Sequence, residues 1–198
     1  GQQTGILGGP LYAVYKLLTC LKVARETEEL LDIPVLPVFW LATEDHDFDE
    51  INHLIVPTHD FRTRKLSVSP PDSIQRSVSR IPFDQHAVRE VVRQALCTEG
   101  ETPYTKELLA LTDRLIETNT TYGGFFAAFL GELVNHDIIF FDADAKAVRQ
   151  IEIPFFERLI QDNPEIRQAL SKGIAQTSDL PDTFLNEEAA HLFVEDIG

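Results

Sequence analysis

Methionine is absent from the 198 residues, and the chain holds two cysteines, one tryptophan and no long unbroken apolar run. A membrane-crossing helix needs about 20 consecutive apolar residues. Here every apolar stretch is soon interrupted by charge or proline, so no membrane segment is expected. The missing methionine has no physical explanation in the sequence. Cys20 and Cys97 lie far apart in helix-like patterns, with no CxxC spacing and no disulfide framework. A reducing, cytoplasmic setting is the expectation. The first residues lack a basic stretch followed by an apolar one, so nothing marks secretion. A chain that begins at Gly1 without methionine reads as a trimmed or partial product.

Basic side chains are also scarce. Seventeen stand against 32 acidic ones, for a net charge of −15. That balance opposes nonspecific binding to phosphate backbones, so nucleic acid is not an expected partner. The acidity is spread from Glu26 to Asp196, as on a solvated surface. What remains is ordinary: 43% hydrophobic and 25% charged residues describe a globule of one or two domains.

Local patterns predict the elements. After Pro10, apolar residues at Val14, Leu17, Leu18, Leu21 and Ala24 recur at helical spacing, giving a helix over 11–31. Val35 to Ala42 is apolar almost throughout and reads as a strand covered on both faces, with Pro37 an awkward member. A glycine loop, a helix and a buried strand in that order form the later part of a βαβ unit, with its first strand upstream of Gly1. Leu54 to Pro57 reads as a short strand, and Arg62 to Arg80 as polar strands broken at Ser69-Pro70-Pro71-Asp72, an inserted hairpin. Helical patterns follow over 83–97, 104–118 and 122–135, then a second buried strand at Ile138-Ile139-Phe140-Phe141 ending in Asp142. The tail reads as helices over 145–160, 164–176 and 183–196, the first interrupted by Pro154. The expected class is α/β with a parallel sheet at its centre, a small inserted hairpin and helical segment, and a helical C-terminal part. The expected division is core over 1–60, insertion over 61–120, and return to the core with the following helices over 121–198.

Two places hold the candidate chemistry. In Gly5-Ile6-Leu7-Gly8-Gly9-Pro10, glycines precede a helix, where backbone N–H groups and the helix dipole favour an anion such as phosphate, although a tight structural turn serves the pattern equally well. Tyr12 and Lys16, one turn apart, point away from the apolar stripe. At the end of the first buried strand stand Thr43, Glu44, Asp45, His46 and Asp47, and strand carboxyl ends are where open α/β sheets bind ligands. Thr43 or Asp45 also suits a helix cap. His46 among carboxylates suits a general acid or an anion anchor. If 46–53 is helical, His46, Glu50 and His53 share a face at metal-ligand spacing. Thr121 suits the cap of the helix beginning near Tyr122. Asp142 and Asp144 face the same crevice if the two strands are neighbours, and otherwise serve to cap the next helix.

The blocks Gly1-Gln2-Gln3, Gly5, Gly8-Gly9-Pro10-Leu11-Tyr12, Lys16, Pro37-Val38-Phe39-Trp40 and Glu44-Asp45-His46-Asp47, with Phe141-Asp142-Ala143-Asp144 as a looser match, resemble the bacillithiol-biosynthesis cysteine-adding enzymes. The resemblance implies a Rossmann-like core similar to that of class I aminoacyl-tRNA synthetases, with inserted connecting segments. It also implies a ligase that adds L-cysteine to glucosaminyl malate, with ATP and an accompanying magnesium ion. Homodimers are implied through a coiled coil outside this chain. The two-histidine nucleotide signature of true synthetases is missing, and Gly8-Gly9-Pro10-Leu11 stands in its place. On this reading Gly5, Gly8, Gly9, Tyr12 and Lys16 hold phosphate or nucleotide. Gln2, Gln3, Trp40 and Thr43 contact substrate, while Glu44, Asp45, His46 and Asp47 hold the amine or act as acid and base. Two other readings remain: a metal-dependent hydrolase of a phosphorylated small molecule using His46, Glu50 and His53, and a non-catalytic acidic interaction domain.

Overall fold

The computed structural model describes residues 1–71, 76–98, 100–134 and 137–176. Two compact units divide the chain, Gly1–Asp144 and Ala145–Gly198.

The first unit opens with an extended segment in which Gln2 pairs with Leu41 as a parallel bridge. A 3-10 turn at Ile6–Gly8 follows, then helix α1 (Leu11–Leu31) and strand β1 (Val38–Leu41). β1 runs parallel to β4 (Ile139–Asp142), with Trp40 opposite Phe141 and Leu41 opposite Asp142. The Gln2 segment lies on the other side of β1, donating from Gln2 N–H to the Trp40 carbonyl at 3.0 Å and accepting from Ala42 N–H at 3.1 Å. Gln2 thus pairs beside β1 through an isolated parallel bridge. Three parallel stretches joined through helices are the Rossmann-like arrangement that the resemblance implies. Pro37 fits because it precedes the ladder, its carbonyl accepting the Ile139 N–H at 3.0 Å.

Between β1 and β4 lie α2 (Phe48–Ile51), the antiparallel hairpin β2 (His53–Pro57) and β3 (Thr63–Ser67), and the helices α3 (Gln85–Cys97), α4 (Thr105–Thr118) and α5 (Tyr122–Leu133). The hairpin reverses over Thr58–Arg62, held by Thr58 N–H to the Arg62 carbonyl at 2.9 Å, and not at Ser69-Pro70-Pro71. Asp72, the last member of that expected turn, lies outside the described residues.

The insertion shares its core with the sheet-bearing part and forms no separate unit at 61–120. Phe48, Ile51, Leu66, Val88, Val92, Ile116, Tyr122 and Phe125 pack in one cluster, while Ala13, Leu17, Phe39, Leu41, Phe126 and Leu130 pack in another. α5 serves both, because its adjacent phenylalanines 125 and 126 project to different sides. Fully burying a side chain of this size is worth about 1.5–3 kcal/mol, so α5 ties hairpin, helices and sheet into one body.

Two expectations about burial need correction. Within this unit β1 is covered on one face, not both: Phe39 and Leu41 are buried, whereas Val38 and Trp40 remain 48% and 41% exposed. The helices α1 and α5 cover the Phe39 face. On α1 the inward stripe is Ala13, Leu17 and Ala24, with Leu18 turned outward.

The second unit contains α6 (Lys146–Gln161) and α7 (Asn163–Gln176). α6 runs through Pro154 without ending there. The helix expected over 183–196 lies outside the described residues. Among the described residues no helix is long and apolar enough to cross a membrane.

Side-chain caps set two helix starts. Asp84 accepts from Ala87 N–H at 2.9 Å to begin α3, and Thr121 accepts from Gly124 N–H at 3.0 Å to begin α5. Asp84 also faces the Tyr122 phenol. Burial, aided by that carboxylate's charge, pushes the phenol from its usual 10.0 up to about 12. The folded protein therefore keeps a proton that the unfolded chain has already released above pH 10. Stability from this group is fully present below about pH 10 and is lost as pH rises toward 12, by up to about 3 kcal/mol for two pKa units. In chemical denaturation followed across pH 8–12, the wild type should weaken above pH 10, and Tyr122→Phe should remove about that share of the alkaline loss.

Candidate functional site

The carboxyl ends of all three parallel stretches open at one place, and each is followed by a polar segment. The Gln2 segment runs into the glycine loop, β1 into Thr43-Glu44-Asp45-His46-Asp47, and β4 into Asp142-Ala143-Asp144. Parallel pairing makes this convergence unavoidable, and open α/β sheets bind ligands at such ends.

The glycine loop is tightly wound. Leu7, Gly8 and Gly9 have φ of 51°, 80° and 66°, a left-handed run that favours glycine and costs a residue such as Leu7 roughly 1–2 kcal/mol. Gly8 abuts Leu130 and Phe129 of α5, so the loop is seated on the core. It leads through Pro10 to the first turn of α1, which has no side-chain cap. Uncapped N–H groups at a helix start attract anions.

Gln2 and Gln3 diverge from this segment. Gln2 Oε1 accepts from Lys16 Nζ at 2.8 Å and Gln2 Nε2 donates to the Tyr12 hydroxyl at 3.2 Å, with the Lys16 ammonium 4.9 Å from the Tyr12 ring centroid. The expected phosphate-binding pair therefore stands assembled beside the loop, as one chain of contacts. Gln3 turns instead to the β1 tip, donating from Nε2 to Asp45 Oδ2 at 2.5 Å.

Four groups fix the segment after β1. Thr43, fully buried, donates from Oγ1 to Asp142, and Asp144 N–H donates to that same Oγ1 at 3.2 Å. The carbonyls on both sides of Glu44 are held from the inserted segment: Val78 N–H donates to the Asp45 carbonyl at 2.7 Å and Ser79 N–H to the Thr43 carbonyl at 3.0 Å. Ser79 Oγ also donates to Asp144. Asp45 Oδ1 accepts from His46 N–H at 2.7 Å and from Asp47 N–H at 3.4 Å, while the N-cap of α2 is Asp47, with no side-chain cap bond, so neither Thr43 nor Asp45 caps it. Asp142 and Asp144 lie beside Thr43, since β1 and β4 are neighbours. The N-cap of α6 is Ala145, which makes no side-chain cap bond of its own.

Trp40 and Glu44 sit on the uncovered face. The Trp40 indole Nε1 donates to Glu44 Oε1 at 3.4 Å, and its ring lies 4.9 Å from that of Phe141. Among the described residues, the buried side-chain oxygens without a partner are Gln3 Oε1, Thr4 Oγ1 and Glu44 Oε2. Each buried orphan costs on the order of 1–3 kcal/mol, and all three cluster at these strand ends. His46 is half exposed, its Nδ1 3.4 Å from Asp45 Oδ1, and Asp47 is exposed beside it.

The metal-binding geometry considered for His46, Glu50 and His53 does not form. α2 spans only Phe48–Ile51, and His53 begins β2 with its Nδ1 against the Asp49 carbonyl at 2.9 Å. The shared helical face is therefore missing. Among the described residues no group of three or more His, Cys, Asp or Glu side chains is placed to hold a metal.

Sequence reasoning missed Ser79 and Gly123. Ser79 lies in a polar stretch with no distinguishing pattern, and its partners are remote in sequence. Gly123 carries a local signal, a glycine in the first turn of a helix, but the reason for it is tertiary.

The parallel pairing of β1 with β4 and with the Gln2 segment, joined through helices, defines a Rossmann-like domain. A family model described as the bacillithiol biosynthesis BshC N-terminal Rossmann-like domain matches residues 1–198, and the chain belongs to that family. It is 83% identical over its whole length to a protein of Exiguobacterium sibiricum named "Putative cysteine ligase BshC". Proteins of the same name from Oceanobacillus iheyensis and Bacillus cereus strain G9842 are 37% and 34% identical over 90% and 98% of the chain. The chain spans 38%, 33% and 37% of those three relatives' lengths.

A Cβ at Gly123 would lie 2.7 Å from Thr43 Cγ2, and Thr43 cannot turn away because its hydroxyl is held at Asp142. Gly123→Ala should therefore lower stability by about 1–3 kcal/mol, as overpacking does, despite alanine's better helix propensity of about 1 kcal/mol. Adding Thr43→Ser, which deletes the methyl and keeps the hydroxyl, should recover most of the loss in urea denaturation.

Proposed function

We propose that the full-length protein joins L-cysteine to glucosaminyl malate by an amide bond, the last step in making bacillithiol. The observation that carries this reading is the convergence, at one crevice, of an anion-seeking loop with Lys16 and of a carboxylate-rich tip holding Glu44, Asp45 and His46. Amide formation from a carboxylate and an amine needs both halves: a place for a phosphate-bearing group, and acceptors for an ammonium or its departing proton.

The residues fit such a division. The uncapped start of α1 and the glycine loop offer N–H donors, and Lys16 adds a positive charge within reach of Gln2 and Tyr12. ATP, with magnesium, would supply the group that turns the cysteine carboxylate oxygen into a leaving group. Glu44 and Asp45 then hold the attacking amine. His46, half exposed, takes the proton that the nitrogen loses as it bonds to the carbonyl carbon. The loop N–H groups are positioned to meet the negative charge that builds on the carbonyl oxygen. Gln3, Trp40 and Thr43 set the position of the carboxylates, and Asp47 adds charge at the mouth. Subunit pairing through a segment beyond these residues belongs to the same proposal.

The test is to mix the purified full-length protein with cysteine and glucosaminyl malate, with and without ATP and magnesium, and to follow the condensed thiol by mass. Product is expected only with ATP and magnesium, and Glu44→Ala or His46→Ala should lower its rate at least about 100-fold, in the range general acid–base groups supply. Lys16→Ala should raise the KM for ATP more than that for cysteine. Absence of product under every condition contradicts the proposal.

A further inference from the structure

The 3-10 turn Val78–Arg80 belongs to the inserted segment, yet it is bonded to the tips of both β1 and β4. Its Val78 N–H and Ser79 N–H take the carbonyls of Asp45 and Thr43 at 2.7 and 3.0 Å, one on each side of Glu44. The Ser79 hydroxyl reaches across to the Asp144 carboxylate. Val78 is 1% exposed, so the turn is anchored in the core shared by the hairpin and α5. Asp144 in turn donates its N–H to the hydroxyl of Thr43 at 3.2 Å. The contacts close a ring: Ser79 to Thr43 by backbone, Thr43 to Asp144 by side chain, and Asp144 back to Ser79.

We infer that Ser79 is a positioning residue: its N–H and hydroxyl clamp the tip of β1 to the tip of β4 and thereby fix where Glu44 points in the crevice. With the carbonyls of Thr43 and Asp45 both held, the backbone around Glu44 is restrained on each side. The clamp sets the position of Glu44 against Trp40, whose indole donates to Glu44 Oε1 at 3.4 Å. It does so from the inserted segment, remote in sequence from both strands. Removing the hydroxyl leaves the backbone bond to Thr43 but breaks the bond from Ser79 to the Asp144 carboxylate, and the ring opens.

The inference rests on the proposed ligase reading for its catalytic consequence and on Trp40 for its structural one, so the two are measured separately in the full-length protein. The first readout is the indole N–H resonance of Trp40, assigned by its loss in Trp40→Phe. The second is kcat and KM for the condensation, and the third is the thermal midpoint. Ser79→Ala should shift the Trp40 resonance and lower kcat about tenfold while leaving KM for ATP and the thermal midpoint nearly unchanged. Ser79→Thr, which keeps the hydroxyl, should restore both the resonance and kcat. A Trp40 resonance unchanged in Ser79→Ala overturns the inference whether or not the protein is a ligase. An altered resonance that Ser79→Thr fails to restore overturns it too, since the hydroxyl is then not the cause. Where the wild type forms no product, the ligase reading fails alone and the resonance still decides the clamp.

Discussion

The buried hydroxyl of Thr43 is the junction on which the crevice depends. It sits at the end of β1 with no exposure to solvent, bonded to Asp142 at the end of β4 and approached by the Asp144 N–H. A buried hydroxyl without a partner costs about 1–3 kcal/mol, so this threonine is stable only while β1 and β4 stay in register. The methyl on its other side rests against Gly123 at the start of α5, a position where any Cβ would collide. One small side chain thus registers two strands and a helix against one another.

Much follows from that junction. The loop from Glu44 to Asp47 leaves the sheet in a fixed direction, with Asp45 held by Gln3 from one side and the Val78–Arg80 turn gripping the backbone from the other. The two glutamines at the start of the chain divide their work between the two faces: Gln2 assembles Lys16 and Tyr12, and Gln3 holds Asp45. Unsatisfied polar atoms gather at the same end, beside one of the strained residues. Leu7 has a left-handed backbone, and the unpartnered oxygens of Gln3, Thr4 and Glu44 lie nearby in sequence or across the bridge. Cores avoid such costs and ligand sites tolerate them.

The sequence showed the helices well because their signal is local. Apolar spacing after Pro10 sets α1, and Thr121 and Asp84 mark starts through caps that reach only three residues. It also showed that Thr43 to Asp47 ends a strand, because polar residues there interrupt an apolar run abruptly. It misjudged what depends on distant partners. An apolar stretch such as Val38 to Leu41 reads as buried on both faces, but periodicity carries no information about which neighbours exist to cover it. The hairpin turn was sought at consecutive prolines, whereas Phe61 adopts the positive φ that turns the chain earlier. The metal-like spacing of His46, Glu50 and His53 required a helix through all three, and α2 is too short. Ser79 was invisible because its partner Asp144 is 65 residues away.

The account's central claim is that the glycine loop and the loop after β1 bind ligand together, as one site. Hydrogen–deuterium exchange of the full-length protein, with and without glucosaminyl malate and ATP, tests it most directly. Slowed exchange in both 5–16 and 43–47, and little change over the hairpin 53–67, is the predicted result. Protection confined to the hairpin, or absent from both loops while ligand is bound, would contradict it.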